Sequence, residues 1–276
     1  MDELATAIAS RRAILFAGAG LSMIVGLPSW RELVDHMRRE LELDPESPGM
    51  EASYQTLSEY YRIKTGSIGP LRSWMDRHWG VSEENVAKSP VHDMIVKLNF
   101  PIIYTTNYDY NLEVAFNLSG HPYVKIVNAR DIAKATSVDT QIVKFHGDFE
   151  DDQSLVIAET DYFNRLHFDS PLDIKFRADA LGRTILFIGY SVSDLNIRLL
   201  LHRLWLTWRD SGREKDRPRS FVFMSRENPV QEAVLGQWGI SVLSGEHDEP
   251  ADSLLQFMER LTERVEHFRQ HGTSST

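Results

Sequence analysis

Cysteine is absent from all 276 residues. That excludes disulfides and every cysteine-ligated zinc site, and it fits a reducing compartment. Positive charge is scarce: 30 Lys and Arg stand against 40 Asp and Glu, a formal net charge of −10. This balance argues against broad binding to nucleic acid, whose phosphates an acidic surface repels. Long apolar runs are also missing. Ala13–Ala17 and Ile185–Ile188 are apolar, but a bilayer needs about 20 such residues. The opening Asp2-Glu3 lacks a basic region followed by an apolar stretch, so no secretory signal is expected. These absences predict a cytoplasmic chain without a membrane or direct nucleic-acid partner.

What is present is enough for an ordinary core, with 42% hydrophobic and 25% charged residues. Ala13–Ala17 is a continuous apolar run, as expected of a parallel strand covered on both faces. Pro101–Thr106, Tyr123–Val127, Gln141–Phe145, Leu155–Ala158, Thr184–Gly189, Ser220–Met224 and Ile240–Leu243 read as further strands. Helical patterns at Ser29–Leu41, Tyr108–Leu118, Ser193–Trp208 and Ala251–Phe268 lie between them. The alternation predicts an α/β fold, a Rossmann-like parallel sheet with helices on both faces. From Ser29 to Phe100 the patterns are helical, broken at Asp44–Gly49, Thr65–Pro70 and Lys88–Pro90. We therefore expect a helical insertion over about 29–100 within one domain spanning 1–270, then a disordered tail at 271–276.

Four segments carry chemistry. The first strand runs into Gly18-Ala19-Gly20-Leu21-Ser22, then Gly26-Leu27-Pro28-Ser29-Trp30-Arg31. Glycines there let backbone approach a pyrophosphate, and a following helix N-terminus favours its charge. They also suit a plain strand-to-helix turn, and the spacing departs from the dehydrogenase Gly-x-Gly-x-x-Gly. The second segment is Thr105-Thr106-Asn107-Tyr108-Asp109. An amide at a strand end can bond a ribose hydroxyl and a water, although strand termination and helix capping are the plainer roles. The third is Lys144-Phe145-His146-Gly147-Asp148, where the imidazole, titrating near neutrality, can take up a proton. The fourth is Gly189-Tyr190-Ser191-Val192-Ser193-Asp194, which also has the form of a capping box.

In this order the segments resemble the sirtuin family, with its Gly-Ala-Gly-x-Ser turn, Gly-x-Pro-x-x-Arg loop, Thr-x-Asn-x-Asp and His-Gly. They are similar in particular to the zinc-free, sirtuin-like group of bacterial antiviral defence systems. Ser29-Trp30 replaces the deacylases' Asp-Phe, and the four cysteines of their zinc module have no counterpart. Little space for that module remains between His146 and Leu155.

The resemblance implies an NAD+ glycohydrolase that releases nicotinamide and ADP-ribose, with some cyclic ADP-ribose, and depletes NAD in antiphage defence. It implies catalytic roles for Asn107, His146 and Asp109. It assigns NAD contacts to Gly18, Ala19, Gly20, Ser22, Pro28, Arg31, Thr106, Asn107, Asp109, Gly189, Tyr190, Ser191 and Asp194, and no metal. Within that assignment Asn107 holds the ribose hydroxyl or water, and Asp109 accepts from the nicotinamide carboxamide. A homo-oligomer is expected, with a hexameric DNA translocase of the HerA type as the first partner to consider. A zinc-free NAD-dependent protein deacylase and a non-catalytic sensor of ADP-ribose or NAD stay open as alternatives. The joint presence of Asn107, Asp109 and His146 favours turnover over sensing. The purified protein should hold no stoichiometric zinc, and chelators should leave its folding and NAD cleavage unchanged. Elemental analysis finding one zinc per chain, with activity lost on chelation, would overturn this.

Overall fold

A computed structural model describes residues 1–44, 52–135, 139–167, 169–190 and 195–272. Most of the expected break at Asp44–Gly49 and of the tail beyond His271 lies outside these residues. Seven strands form one sheet: β1 (Ala13–Ala17), β2 (Ile102–Thr105), β3 (Tyr123–Ile126), β4 (Thr140–Lys144), β5 (Thr184–Ile188), β6 (Ser220–Met224) and β7 (Ile240–Ser244). Their order is β3-β4-β2-β1-β5-β6-β7, and every pairing is parallel.

Side chains alternate between the sheet's two faces, and each face has its own core. Along β1, Ala13, Leu15 and Ala17 enter one core, while Ile14 and Phe16 enter the other. Helices Asp2–Ala9, Pro90–Leu98, Asn111–Leu118 and Pro250–His271 cover the first face. Helices Pro171–Leu181, Leu195–Asp210 and Pro229–Gln237 cover the second. Both faces are therefore dry, so β1 is apolar at every position. Phe16 organises the second face, stacking on Tyr104 and Phe187 and meeting Phe176 edge-on at 5.4 Å. Among the described residues no helix is long and apolar enough to cross a membrane.

Helices Trp30–Glu40, Tyr54–Thr65, Gly69–His78, Glu83–Ala87 and Pro90–Leu98 occupy the interval between β1 and β2. Ser53, Ser82 and Ser89 cap three of them, each accepting a backbone N–H at the start of its helix. Leu33, Met37, Leu57, Tyr61, Leu71, Met75 and Trp79 build a third core, which closes on Tyr108, Phe149, Leu155 and Ile157. The expected strand Leu155–Ala158 does not form. Its residues are buried like a strand's, but Leu155 and Ile157 feed this third core. The segment's backbone attaches elsewhere: Val156 N–H donates to the His146 carbonyl at 2.9 Å, and Ile157 and Ala158 N–H donate to the Asp161 carboxylate.

The chain adds strands on one side of β1 through β4, then crosses to β5 on the other. This makes the β1/β5 junction the sheet's switch point. There Gly20 N–H donates to the Gly189 carbonyl at 2.9 Å and Gly18 N–H to the Ile188 carbonyl at 2.8 Å. A Cβ on Gly20 would lie 2.9 Å from Gly189 Cα, and one on Gly18 2.5 Å from the Gly189 oxygen. Gly189 itself has φ +69. The chain's own backbone thus makes one close approach at these glycines, and Gly20 also lines the cleft region beside Tyr190.

Gly20→Val should therefore destabilise the fold, by roughly 1–3 kcal/mol of overpacking. Denaturant unfolding at the wild-type midpoint would show this contact to be dispensable. A second prediction concerns His92, 1% exposed, with Nδ1 2.8 Å from Ser89 Oγ and Nε2 without a hydrogen-bond partner among the described residues. Burial pushes its pKa down to about 4. The unfolded value is near 6.5, so the unfolded chain takes up this proton first as pH falls. His92's contribution is complete above pH ~6.5 and lost toward pH 4, about 3 kcal/mol at 1.36 kcal/mol per unit. His92→Gln should unfold with a correspondingly shallower pH dependence. Parallel stability curves for the two proteins between pH 7 and 4.5 would refute this.

Candidate functional site

β4, β2, β1 and β5 are consecutive in the sheet, and each of the four sequence segments begins at the C-terminal end of one of them. Thr105 pairs with Lys144, so Asn107 and His146, each two residues beyond its strand, emerge at the same edge of the sheet. Both line a cleft with Ala19, Pro28, Thr106, Asp109, Gly189 and Tyr190. A second lobe on the β5–β6 side shares Ala19, Met23, Trp30, Gly189 and Tyr190, and adds Gly20, Phe223, Ser225, Glu249 and Leu254. Tyr190 stands between the lobes. Its hydroxyl is 2.5 Å from Thr106 Oγ1, and its ring lies where a Gly18 side chain would be.

The orientation of Asn107 follows from its partners. Nδ2 donates to the Gly18 carbonyl at 3.0 Å and to Ser22 Oγ at 2.9 Å. A carbonyl only accepts, which assigns the NH2 to that side. Ser22 Oγ in turn donates to Asp109 Oδ2 at 2.7 Å. Asn107 thus commits both amide hydrogens internally, leaving Oδ1 as its group for the cleft. Ser22 is 1% exposed and acts from behind the wall. Asp109 reaches the cleft with one oxygen on Ser22 and the other accepting Asn111 N–H at 3.1 Å.

His146 is 4% exposed and packs edge-on against Tyr162 at 5.5 Å. Burial first, and the Arg165 guanidinium second, hold its pKa well below the ordinary histidine value. The imidazole is neutral near pH 7, as a proton acceptor must be. Gly147 has φ +96, and a Cβ there would collide with the Ser154 carbonyl at 2.3 Å, so the residue after His146 has to be glycine. Among the described residues no three His, Cys, Asp or Glu are grouped to hold a metal ion.

Arg31 lies on an exposed position of the helix Trp30–Glu40 and does not line the cleft. Ser191 and Asp194 fall outside the described residues. Sequence reasoning missed the aromatic wall. Trp30, Tyr54 and Trp79 come from the insertion and Tyr162 from a later helix. Trp30 stacks on Tyr54 at 5.0 Å and meets Trp79 edge-on at 5.6 Å. Only the presence of aromatics in the insertion hinted at this, because no spacing rule links residue 54 or 79 to His146.

The SIR2-like domain family matches residues 101–243, just over half of the chain. The chain is 34% identical over 217 residues to a protein of Enterococcus faecium named NAD(+) hydrolase ThsA, covering 77% of this chain and 44% of that protein. A protein of the same name from Cytobacillus dafuensis is 30% identical over 215 residues, covering 77% and 42%. Defense-associated sirtuin 2 of Bacillus subtilis is 28% identical over 242 residues, covering 85% and 23%. The chain spans less than half the length of these curated relatives. Because the matched stretch takes in every strand from β2 through β6, with Asn107, His146 and Gly189 at their ends, this chain belongs to the SIR2-like domain family.

Proposed function

We propose that the chain is an NAD+ glycohydrolase, converting NAD+ and water to nicotinamide, ADP-ribose and a proton. The observation that carries this reading is that one cleft is lined both by Asn107, with only Oδ1 left for it, and by a neutral His146 just beyond the adjacent strand. The names of the relatives support it, and so does a cleft with two lobes astride the switch point, where α/β sheets bind dinucleotides.

The reaction breaks the bond between nicotinamide nitrogen and ribose C1′, and the ring carbon becomes oxocarbenium-like as neutral nicotinamide leaves. Asn107 Oδ1 accepts from the ribose hydroxyl or from the water that attacks C1′. His146 takes the proton which that water releases. Trp30, Tyr54 and Trp79 exclude bulk water, so a single positioned water is favoured over competing nucleophiles. Asp109, placed at the same end of the cleft, is the candidate acceptor for the carboxamide; each of its oxygens keeps a lone pair for it.

The reading extends to antiphage defence, where such an enzyme depletes NAD. An activity of that kind needs a gate, so we assign it to a homo-oligomer controlled by a partner. The resemblance makes a HerA-type hexameric translocase the first to test, and the net charge of −10 leaves any DNA contact to that partner.

Asn107→Ala and His146→Ala should each lower kcat about 10²–10⁴-fold, roughly 3–5 kcal/mol of barrier, while calorimetry still detects NAD binding. The lowered pKa of His146 adds a pH signature. kcat/KM should stay level as pH falls through the ordinary histidine value near 6.5 and decline only below it, where the base becomes protonated. Nicotinamide release at near-normal rates by either variant would place the reaction centre elsewhere.

A further inference from the structure

Two charged residues stand at equal distance on either side of His146, and the chemistry above uses neither. Lys144 and Asp148 are each 0% exposed. Lys144 Nζ donates to the backbone carbonyl of Asp109, stands 3.4 Å from the Glu113 carboxylate and lies over the Tyr110 ring at 5.6 Å. Glu113, on the helix Asn111–Leu118, is 5% exposed, and neither of its oxygens has a hydrogen-bond partner among the described residues. On the other side, Asp148 Oδ1 accepts from Tyr110 Oη at 3.2 Å, and Oδ2 is 3.2 Å from Lys125 Nζ. The histidine segment therefore grips the asparagine segment at both of its flanks.

A buried ion pair stabilises a fold inefficiently, because desolvation offsets much of the attraction and a well-packed apolar pair often does as well. What an ammonium adds is direction, since it draws one carbonyl to one place. We propose that Lys144 is a positioning residue: held by Glu113, it anchors the Asp109 carbonyl and so fixes Asn107 in the cleft that His146 also lines. The linkage runs through groups already described. Asp109 holds Ser22 through its carboxylate, and Ser22 accepts from Asn107 Nδ2. Movement of the Asp109 backbone is thereby passed to the amide whose Oδ1 faces the cleft. The kinetic part of this inference rests on the NAD glycohydrolase reading, whereas the anchoring of the Asn107–Asn111 segment does not.

The test compares the full chain with Lys144→Met and with Lys144→Met/Glu113→Leu. The single variant leaves the Glu113 carboxylate buried without its counter-ion, and should lose stability. The double variant removes both charges in favour of apolar groups of similar length, so its Tm should return close to wild type. With the fold restored, amide hydrogen exchange at Tyr108–Asn111 should still be faster than in wild type. Its kcat for nicotinamide release should remain down about 10- to 100-fold, as a displacement of about 1 Å implies, with KM within about 3-fold of wild type because the rest of the cleft still holds NAD. If Lys144 only neutralises Glu113, the double variant regains wild-type exchange and wild-type kcat together, and positioning is overturned. Wild-type protein that releases no nicotinamide, while exchange still quickens in the double variant, would sink the NAD reading and uphold the anchor.

Discussion

The hydrogen bond from Gly20 N–H to the Gly189 carbonyl joins the ends of β1 and β5 so closely that no side chain fits between them. Everything around the cleft is arranged by that contact. It places the first turn directly over the switch point, and it sets Tyr190 across Gly18, within reach of Thr106 at the end of β2. The turn also carries Ser22, which takes up Asn107 and Asp109. A bulkier residue at position 18, 20 or 189 would push these strand ends apart and separate the groups on β2 from those on β5. In this chain the glycines are first a condition of packing, and any service to a ligand follows from it.

The floor of the cleft shows how a buried polar set can be satisfied without making its catalytic candidates polar toward one another. Ser22, Asn107 and Asp109 exchange hydrogen bonds in a single direction, each donor with an acceptor, while His146 stands apart with aromatic neighbours. Such a division keeps one group rigid and the other low in basicity for different reasons. The first is a matter of hydrogen-bond partners, the second of desolvation.

The sheet was legible because burial on both faces leaves a simple mark: all five positions of β1 are apolar and all five are buried. The same mark misled at Leu155–Ala158, where Leu155 and Ile157 are buried in the third core and the segment joins no sheet among the described residues. The strand-end segments were legible as motifs because each is contiguous. Tyr54, Trp79 and Tyr162 were not, since they converge on the cleft through tertiary packing between elements far apart in sequence. Glu113 and Lys144 were missed for the same reason, although Lys144 sits inside a quoted motif. Conversely, Arg31 belongs to a contiguous motif, yet its helix turns it outward.

The insertion also bears on the order of assembly. Ile14 lies against Ile102, although the whole helical excursion separates them along the chain. The entropy of closing so long a loop grows slowly with its length, but pairings of this span are late events in folding. The cleft further needs β5, whose last residue is Ile188, and the ring of Tyr190 beyond it. Both lobes include Tyr190, and the second also draws on Phe223 and Leu254, so the cleft is complete only when the sheet on both sides of β1 and the last helix have come together.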